Sequence, residues 1–176
     1  MSASLKPLTV DEFLAWERTQ SLRYEFDGVQ PLAMPGGSVS HVRTITRLTA
    51  LLVNRVPPRC EAFGPELKVR TPGRVRYPDA TVVCRMPDED TDIIEPTAVF
   101  EVISPSTALT DRRVKPLEYA AVPGIMVYVI LETDRPEVTV MRRSAAWEPE
   151  ESEGLDAAVP LPEIGIDLPL AAIYRR

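Results

Sequence analysis

Apolar residues along the chain recur with two different periods, and the changes of period mark the elements. From Val39 to Val53 they return every three or four residues, at Val42, Ile45, Leu48 and Leu52, with Thr49 and Leu51 nearby. His41, Arg43 and Arg47 lie off that stripe, which predicts an amphipathic helix. Pro57-Pro58 ends it. Two other segments, Thr97 to Ile103 (TAVFEVI) and Ile125 to Leu131 (IMVYVIL), are apolar at nearly every position. Such runs suit central strands buried on both faces. Ser104-Pro105-Ser106-Thr107 breaks the first, and a helix ending near Ala121, before Pro123-Gly124, leads to the second. Val75 to Cys84 reads as a further strand, and Glu137 to Arg142 pairs back across Asp134-Arg135-Pro136.

The flanks are more punctuated. Thr9-Val10-Asp11-Glu12 has the form of a capping box for a helix running to about Arg18. Leu22 to Phe26 and Val29 to Met34 form a hairpin about Asp27-Gly28, with Pro31 marking an edge strand. Short strands are predicted at Cys60 to Phe63 and Glu66 to Arg70, and Thr71-Pro72-Gly73-Arg74 has the composition of a type II turn. Met86 to Pro96 is a polar acidic loop. The tail from Trp147 is acidic and proline-rich, with an apolar patch at Leu161 to Ile166 and a terminal helix over Leu168 to Tyr174. This order implies one α/β domain over residues 1–176, a mixed central sheet with helices on its faces.

Composition narrows the class. The 176 residues are 44% hydrophobic and 26% charged, an ordinary globular balance. No run approaches the roughly 20 apolar residues that span a bilayer. The start of the chain lacks a secretory apolar region, so a cytoplasmic protein is expected. Cys60 and Cys84, without CxxC spacing, read as reduced, buried thiols. The net charge of −6 disfavours a polyanionic partner globally, but its distribution does not. Between His41 and Arg76, Arg43, Arg47, Arg55, Arg59, Lys68, Arg70, Arg74 and Arg76 face only Glu61 and Glu66. One basic face suffices to hold a polyanion, although the same arginines also suit plain solvation.

Two carboxylates interrupt this scaffold. Asp79 follows Pro78 and precedes Ala80-Thr81-Val82-Val83, and Glu101 lies between Phe100 and Val102. A carboxylate in a buried strand is costly unless compensated. Each acid alone could face solvent or pair with an arginine such as Arg76; a divalent cation would compensate both. Ile103, two residues beyond Glu101 on the same face, offers its carbonyl oxygen as a further ligand. Asp111, Lys115 and Tyr119 are spaced four apart on the following helix. Lys115 either reaches a scissile phosphate from there or forms an exposed ion pair with Asp111, while Tyr119 reads as packing. His41 at a helix start suits a substrate contact or simple exposure.

RYEFDG, MPGGS before the helix that carries His41, RYPDATVVC, FEVISPST and D-x-x-x-K-x-x-x-Y followed by a glycine turn resemble the Uma-two family of putative restriction endonucleases. That family is a branch of the PD-(D/E)XK nuclease superfamily, and the resemblance spans nearly the whole chain. It implies a restriction-endonuclease-like fold. It makes Asp79 the Asp of the PD motif and Glu101 the acid of the (D/E)XK half-motif, both metal ligands. Ile103 stands where the superfamily lysine usually sits, Lys115 is the displaced lysine, and Glu25 is an additional acid beside the metal. The chain departs from the family at Pro116, directly after Lys115, so the helix is expected to start at Val114 or Lys115. Met126-Val127-Tyr128 departs as well and reads as packing.

The expected function is a Mg²⁺-dependent (or Mn²⁺-dependent) DNA endonuclease, with Arg43, Arg47, Arg70, Arg74 and Arg112 or Arg113 on the DNA backbone and a homodimer for cutting both strands. Action on RNA or another phosphodiester stays open. The alternative of a different class is a nuclease-fold protein that binds nucleic acid or a protein partner without cutting.

Overall fold

The computed structural model describes residues 8–34, 36–103 and 108–175; Pro35 and the expected strand break at 104–107 lie outside them. α1 (Val10–Glu17) opens on the capping box, with the Glu12 N–H donating to Thr9 Oγ1 at 3.2 Å and the Thr9 N–H to Glu12 Oε2 at 2.7 Å. The hairpin β1 (Tyr24–Phe26) and β2 (Pro31–Ala33) follows, then α2 (Val39–Arg55), capped by Ser38. Next come β3 (Glu61–Phe63), β4 (Lys68–Thr71), β5 (Arg74–Arg76), β6 (Ala80–Val83), β7 (Ile93–Ile94) and β8 (Ala98–Val102). Two short helices, α3 (Ala108–Arg113) and α4 (Lys115–Ala120), lead to β9 (Val127–Leu131) and β10 (Glu137–Arg142). The tail adds β11 (Pro149–Glu153), β12 (Ala158–Leu161), β13 (Ile166–Pro169) and α5 (Leu170–Tyr174).

The strands form two large sheets. One has the order β2-β1-β5-β4-β7, the other β11-β10-β9-β8-β6-β3, and β12 pairs with β13. The predicted single strand over Val75 to Cys84 is therefore two strands in different sheets. The chain leaves the first at Arg76, crosses at Tyr77-Pro78-Asp79 and joins the second at Ala80. Pro78 has no N–H for a ladder bond, which gives the break a local cause. Gly73 has φ +75°, as the second central position of the expected turn between β4 and β5 requires.

β8 and β9 are the parallel pair at the heart of the six-stranded sheet, buried along their whole length. On one face Ala98, Phe100 and Val102 pack with Leu48 and Leu52 of α2 and with Leu170 and Ile173 of α5. On the other, Val99 and Ile103 join Tyr128 and Ile130 beneath Tyr119 of α4. Each fully buried large apolar side chain contributes roughly 1.5–3 kcal/mol. α2 buries Thr44, Leu48 and Leu52, while Val42, expected on that stripe, is about half exposed.

Other departures have simple physical origins. The acidic loop contains β7, which adds parallel to β4. The acidic tail contains β11, whose Glu150, Glu151 and Glu153 are exposed on an edge strand, where charge discourages further pairing. The helix before β9 is split at Val114, with Pro116 in the first turn of α4. The cysteines are not free thiols: Cys60 and Cys84 are joined in a disulfide with Cα atoms 4.0 Å apart. The β3–β6 register, with Glu61 opposite Val83, puts them directly across from each other, a relation absent from their sequence spacing. The bond closes a loop across a sequence separation of 24. A thiol reductant should therefore lower stability by roughly 3 kcal/mol, read from urea unfolding with and without reductant. Identical midpoints would mean the bond stabilises nothing.

Candidate active site

β6 and β8 run antiparallel with Ala80 opposite Phe100. Continuing that register puts Asp79 opposite Glu101 on the face covered by α4, and Pro78 opposite Val102. Asp79 is fixed at this point by the Val102 N–H, which donates to its Oδ2 at 2.7 Å. Glu101 is 4% exposed. Its Oε1 accepts from Lys115 Nζ at 2.7 Å and from the Tyr119 hydroxyl at 3.0 Å. Lys115 Nζ also lies 3.0 Å from Asp111 Oδ1 and 3.8 Å from Glu25 Oε1. Asp111, Lys115 and Tyr119 thus share one face in spite of the split helix. The Tyr128 hydroxyl helps by donating to the Asp111 carbonyl at 3.0 Å.

A second layer holds the joint between the sheets. Arg76, 2% exposed, makes two parallel bonds to Glu118, from Nε and Nη2, each 2.7 Å. Its Nη1 donates to Glu25 Oε2 at 3.0 Å, and the Tyr77 N–H donates to Glu25 Oε1 at 3.1 Å. Next to it, the Tyr77 hydroxyl donates to Glu17 at 2.8 Å, and Lys68 is paired with Glu17 at 3.2 Å and with Asp92. Both oxygens of Glu25 are therefore occupied. Glu25 sits beside Lys115, as expected of an acid near the site, but it is held by Arg76 and the backbone.

Burial pushes the Glu101 carboxyl well above the ordinary carboxylate range, with Lys115 opposing and Asp111, Asp79 and Glu25 reinforcing. Asp79 is likewise raised by burial, against the Val102 hydrogen bond and the charges of His41 and Lys115. Burial alone would lower the Lys115 pKa, but Glu101, Glu25 and Asp111 outweigh it, so the ammonium stays charged. Arg76 is shared by Glu118 and Glu25, and Arg74 Nη1 adds to Glu118 at 3.4 Å. Deeper in, the carboxyls of Asp79, Glu101 and Asp111 share the field of the one ammonium of Lys115. Asp79 and Glu101 are the pair open to a divalent cation. Among the described residues no group of three or more His, Cys, Asp or Glu side chains is placed to hold a metal ion, but Mg²⁺ commonly takes only one or two carboxylates.

Ile103 does not join this set. Its N–H donates to the Leu131 carbonyl at 2.8 Å and its own carbonyl accepts from the Thr133 hydroxyl, so both face β9. Along a strand the backbone groups of neighbouring residues face opposite sides. The carbonyl on the Asp79 side is that of Val102, and Pro78 across from it has no N–H to give. The arginines expected on DNA are also dispersed. Arg70 pairs with Asp11 at 3.0 Å, Arg74 donates to the Asp27 carbonyl at 2.7 Å, and Arg112 is paired with Glu132. Arg47 donates to the carbonyls of Ile173 and Arg175, 3.0 Å each, and holds down α5. Arg43 is exposed, with no partner among the described residues. Two features escaped the sequence reading. The hydroxyl role of Tyr119 was signalled by its spacing from Lys115. The Arg76–Glu118 pair, 42 residues apart, carries no local signal.

Comparison with known proteins agrees with the fold. The family model Uma2, described as "Putative restriction endonuclease", matches residues 10–171. An uncharacterized protein of Synechocystis sp. is 30% identical over 181 residues, covering 99% of this chain and 95% of its own length. The crystal structure of a putative nuclease belonging to DUF820 from Anabaena variabilis has a TM-score of 0.81 at 23% identity. That match covers 96% of this chain and 98% of the other. The architecture is the restriction-endonuclease-like mixed α/β fold. No helix among the described residues is long and apolar enough to cross a membrane.

Two outcomes follow from the electrostatics. Arg76→Met leaves the buried Glu118 with only Arg74, whose Nη1 lies 3.4 Å away, and should cost about 3 kcal/mol in urea unfolding. For Asp79, the folded pKa lies above its unfolded value of about 3.9. The folded state therefore takes up the proton first as pH falls, so burial of the charge is a full penalty above the raised pKa and fades out by the unfolded one. Asp79→Asn keeps an acceptor for the Val102 N–H and removes the charge. It should be more stable than wild type by about 1 kcal/mol at pH 8, a gap that closes as pH falls toward 4. A gap that widens on acidification would reverse this sign.

Proposed function

Because the chain belongs to the Uma2 family, described as "Putative restriction endonuclease", we propose that it is an endonuclease that hydrolyses DNA phosphodiester bonds with a divalent metal ion, Mg²⁺ or Mn²⁺. The observation that carries this reading is the placement of Asp79 and Glu101 across β6 and β8, with Lys115 Nζ 2.7 Å from Glu101. Bound by Asp79, Glu101 and the Val102 carbonyl, the ion would supply a Lewis acid that neutralises phosphate charge and acidifies an attacking water.

The chain's own groups have separate tasks. Asp79, locked by the Val102 N–H, presents Oδ1 to the site, while Oδ2 is committed to the backbone. Lys115 keeps its proton because three carboxylates surround it, so it acts as a fixed positive charge beside the phosphate rather than as a base. Tyr119 and Asp111 fix Glu101 and Lys115 respectively. Glu25 and Arg76 act one step back, by positioning. Arg43, exposed and without a partner among the described residues, offers a cation for the DNA backbone, and a homodimer would bring two such sites to one duplex.

Supercoiled plasmid with Mg²⁺ or Mn²⁺ should be nicked or linearised by wild type. Asp79→Ala, Glu101→Ala and Lys115→Ala should each lower the rate by about two to three orders of magnitude. Single-stranded DNA and RNA run alongside would define the substrate. Equal rates in all four proteins would remove the site assignment, and loss in the acid variants alone would relocate the lysine's role.

A further inference from the structure

We propose that the groove between α4 and the strands β10 and β11 is a homodimer interface, in which α3 and α4 of one copy seat over β11 of a second copy of this chain. The homodimer suited to cutting both strands thereby gains a surface, and the assignment stands or falls independently of cleavage. Asp111, Lys115 and Tyr119 form the inner face of α3 and α4. Leu109, Arg113 and Leu117 have the same four-residue spacing two positions earlier, roughly 200° round the helix, and form the outer face. Leu109 is 67% exposed and Leu117 75%.

Beside this ridge the sheet face continues past the helices. Thr139 lies opposite Glu151, and Met141 opposite Pro149, on the face that Tyr128 and Ile130 present on β9. Tyr119 covers that face over β9. Over β10 and β11 a cavity of about 380 Å³ remains, with Arg113 and Leu117 on the helix side, Trp147 and Glu151 on the strand side and Met141 at its floor. Trp147 is held there at a backbone cost. Ala146 and Trp147 have φ of 54° and 63°, which costs a non-glycine residue on the order of 1 kcal/mol, and the Trp147 ring stacks 5.2 Å from the Arg143 guanidinium. An aromatic side chain fixed in an open groove is the usual anchor of a protein interface.

The two walls carry opposite charge. Arg113 and Glu151 are exposed, and neither has an ion-pair partner among the described residues. A two-fold axis over the groove sets the helix wall of each copy on the strand wall of the other. Arg113 then meets Glu151 of the second copy, twice, and each Leu117 enters the space beside the other copy's Trp147. This self-complementarity selects a second copy, because any other partner has to supply acid and base in the reverse order. A nucleic acid fits poorly, since Glu151 and Glu153 line β11 with like charge. Lys115 and Leu117 lie on opposite faces of α4, so the interface braces the helix that carries the cation of the site.

The test is sedimentation of the full chain without metal or DNA. Wild type should show a concentration-dependent dimer. Leu117→Glu should weaken it by about 10–100-fold with circular dichroism unchanged. Arg113→Glu and Glu151→Arg should each weaken it by about tenfold, since each reverses two pairs. The double variant Arg113→Glu/Glu151→Arg should recover the dimer. An equimolar mixture of the two single variants should form a heterodimer tighter than either homodimer, because both of its pairs are attractive. A chain that stays monomeric throughout the micromolar range, including one whose groove takes up duplex DNA instead, would overturn the interface and leave the nuclease reading standing. A dimer indifferent to Leu117→Glu and to both charge reversals would put the contact elsewhere and overturn it as well. A dimer that follows the charge exchange but cleaves nothing would support the interface and overturn the nuclease reading alone.

Discussion

The Lys115 ammonium is the charge on which the interior of this protein depends. It lies 2.7 Å from Glu101 and 3.0 Å from Asp111, with all three side chains almost wholly buried. Two carboxylates could not occupy the face of a central sheet without it, because desolvation of a charge costs more than any single contact returns. The cation comes from α4, so that helix must dock on β8 and β9 for the strands to hold their acids. Tyr119, on the same helix face, couples the two: its ring packs against Tyr128 and its hydroxyl meets Glu101. Packing and electrostatics therefore fix the same helix in the same place.

Pro78 has a comparable double role. It ends the first sheet's ladder and starts the passage to the second, so the chain turns where a donor is missing. The same missing donor leaves the Val102 N–H for Asp79 and gives the Val102 carbonyl no ladder bond from Pro78. The Arg76–Glu118–Glu25 network fixes the near side of this passage, and Lys68 with Glu17 and Tyr77 fixes its flank. These groups are buried ion pairs whose worth lies in holding a backbone position.

Much of this was legible in one dimension. The apolar runs over Thr97 to Ile103 and Ile125 to Leu131 announce a buried central pair, since only strands covered on both faces read that way. Asp79 and Glu101 stand out because a charge inside such a run is costly, and Asp111, Lys115 and Tyr119 declare a common face by their spacing. The capping box, the Pro-Gly turn and the helix start beside Pro116 are local chemistry and needed no fold.

What the tertiary structure alone decided is everything that depends on register. The opposition of Cys60 to Cys84, the facing of Val102 rather than Ile103 toward Asp79, and the pairing of Arg76 with Glu118 each join residues distant in sequence. No local preference encodes them. A shift of one residue between β6 and β8 would reverse every side chain and carbonyl. Composition and periodicity thus determined which elements form and which residues are out of place in them, because those are properties of neighbours along the chain. Which oxygen faces which cation was determined by how the sheets and helices meet, because hydrogen bonds and ion pairs act over a few ångströms of space whatever the separation in sequence.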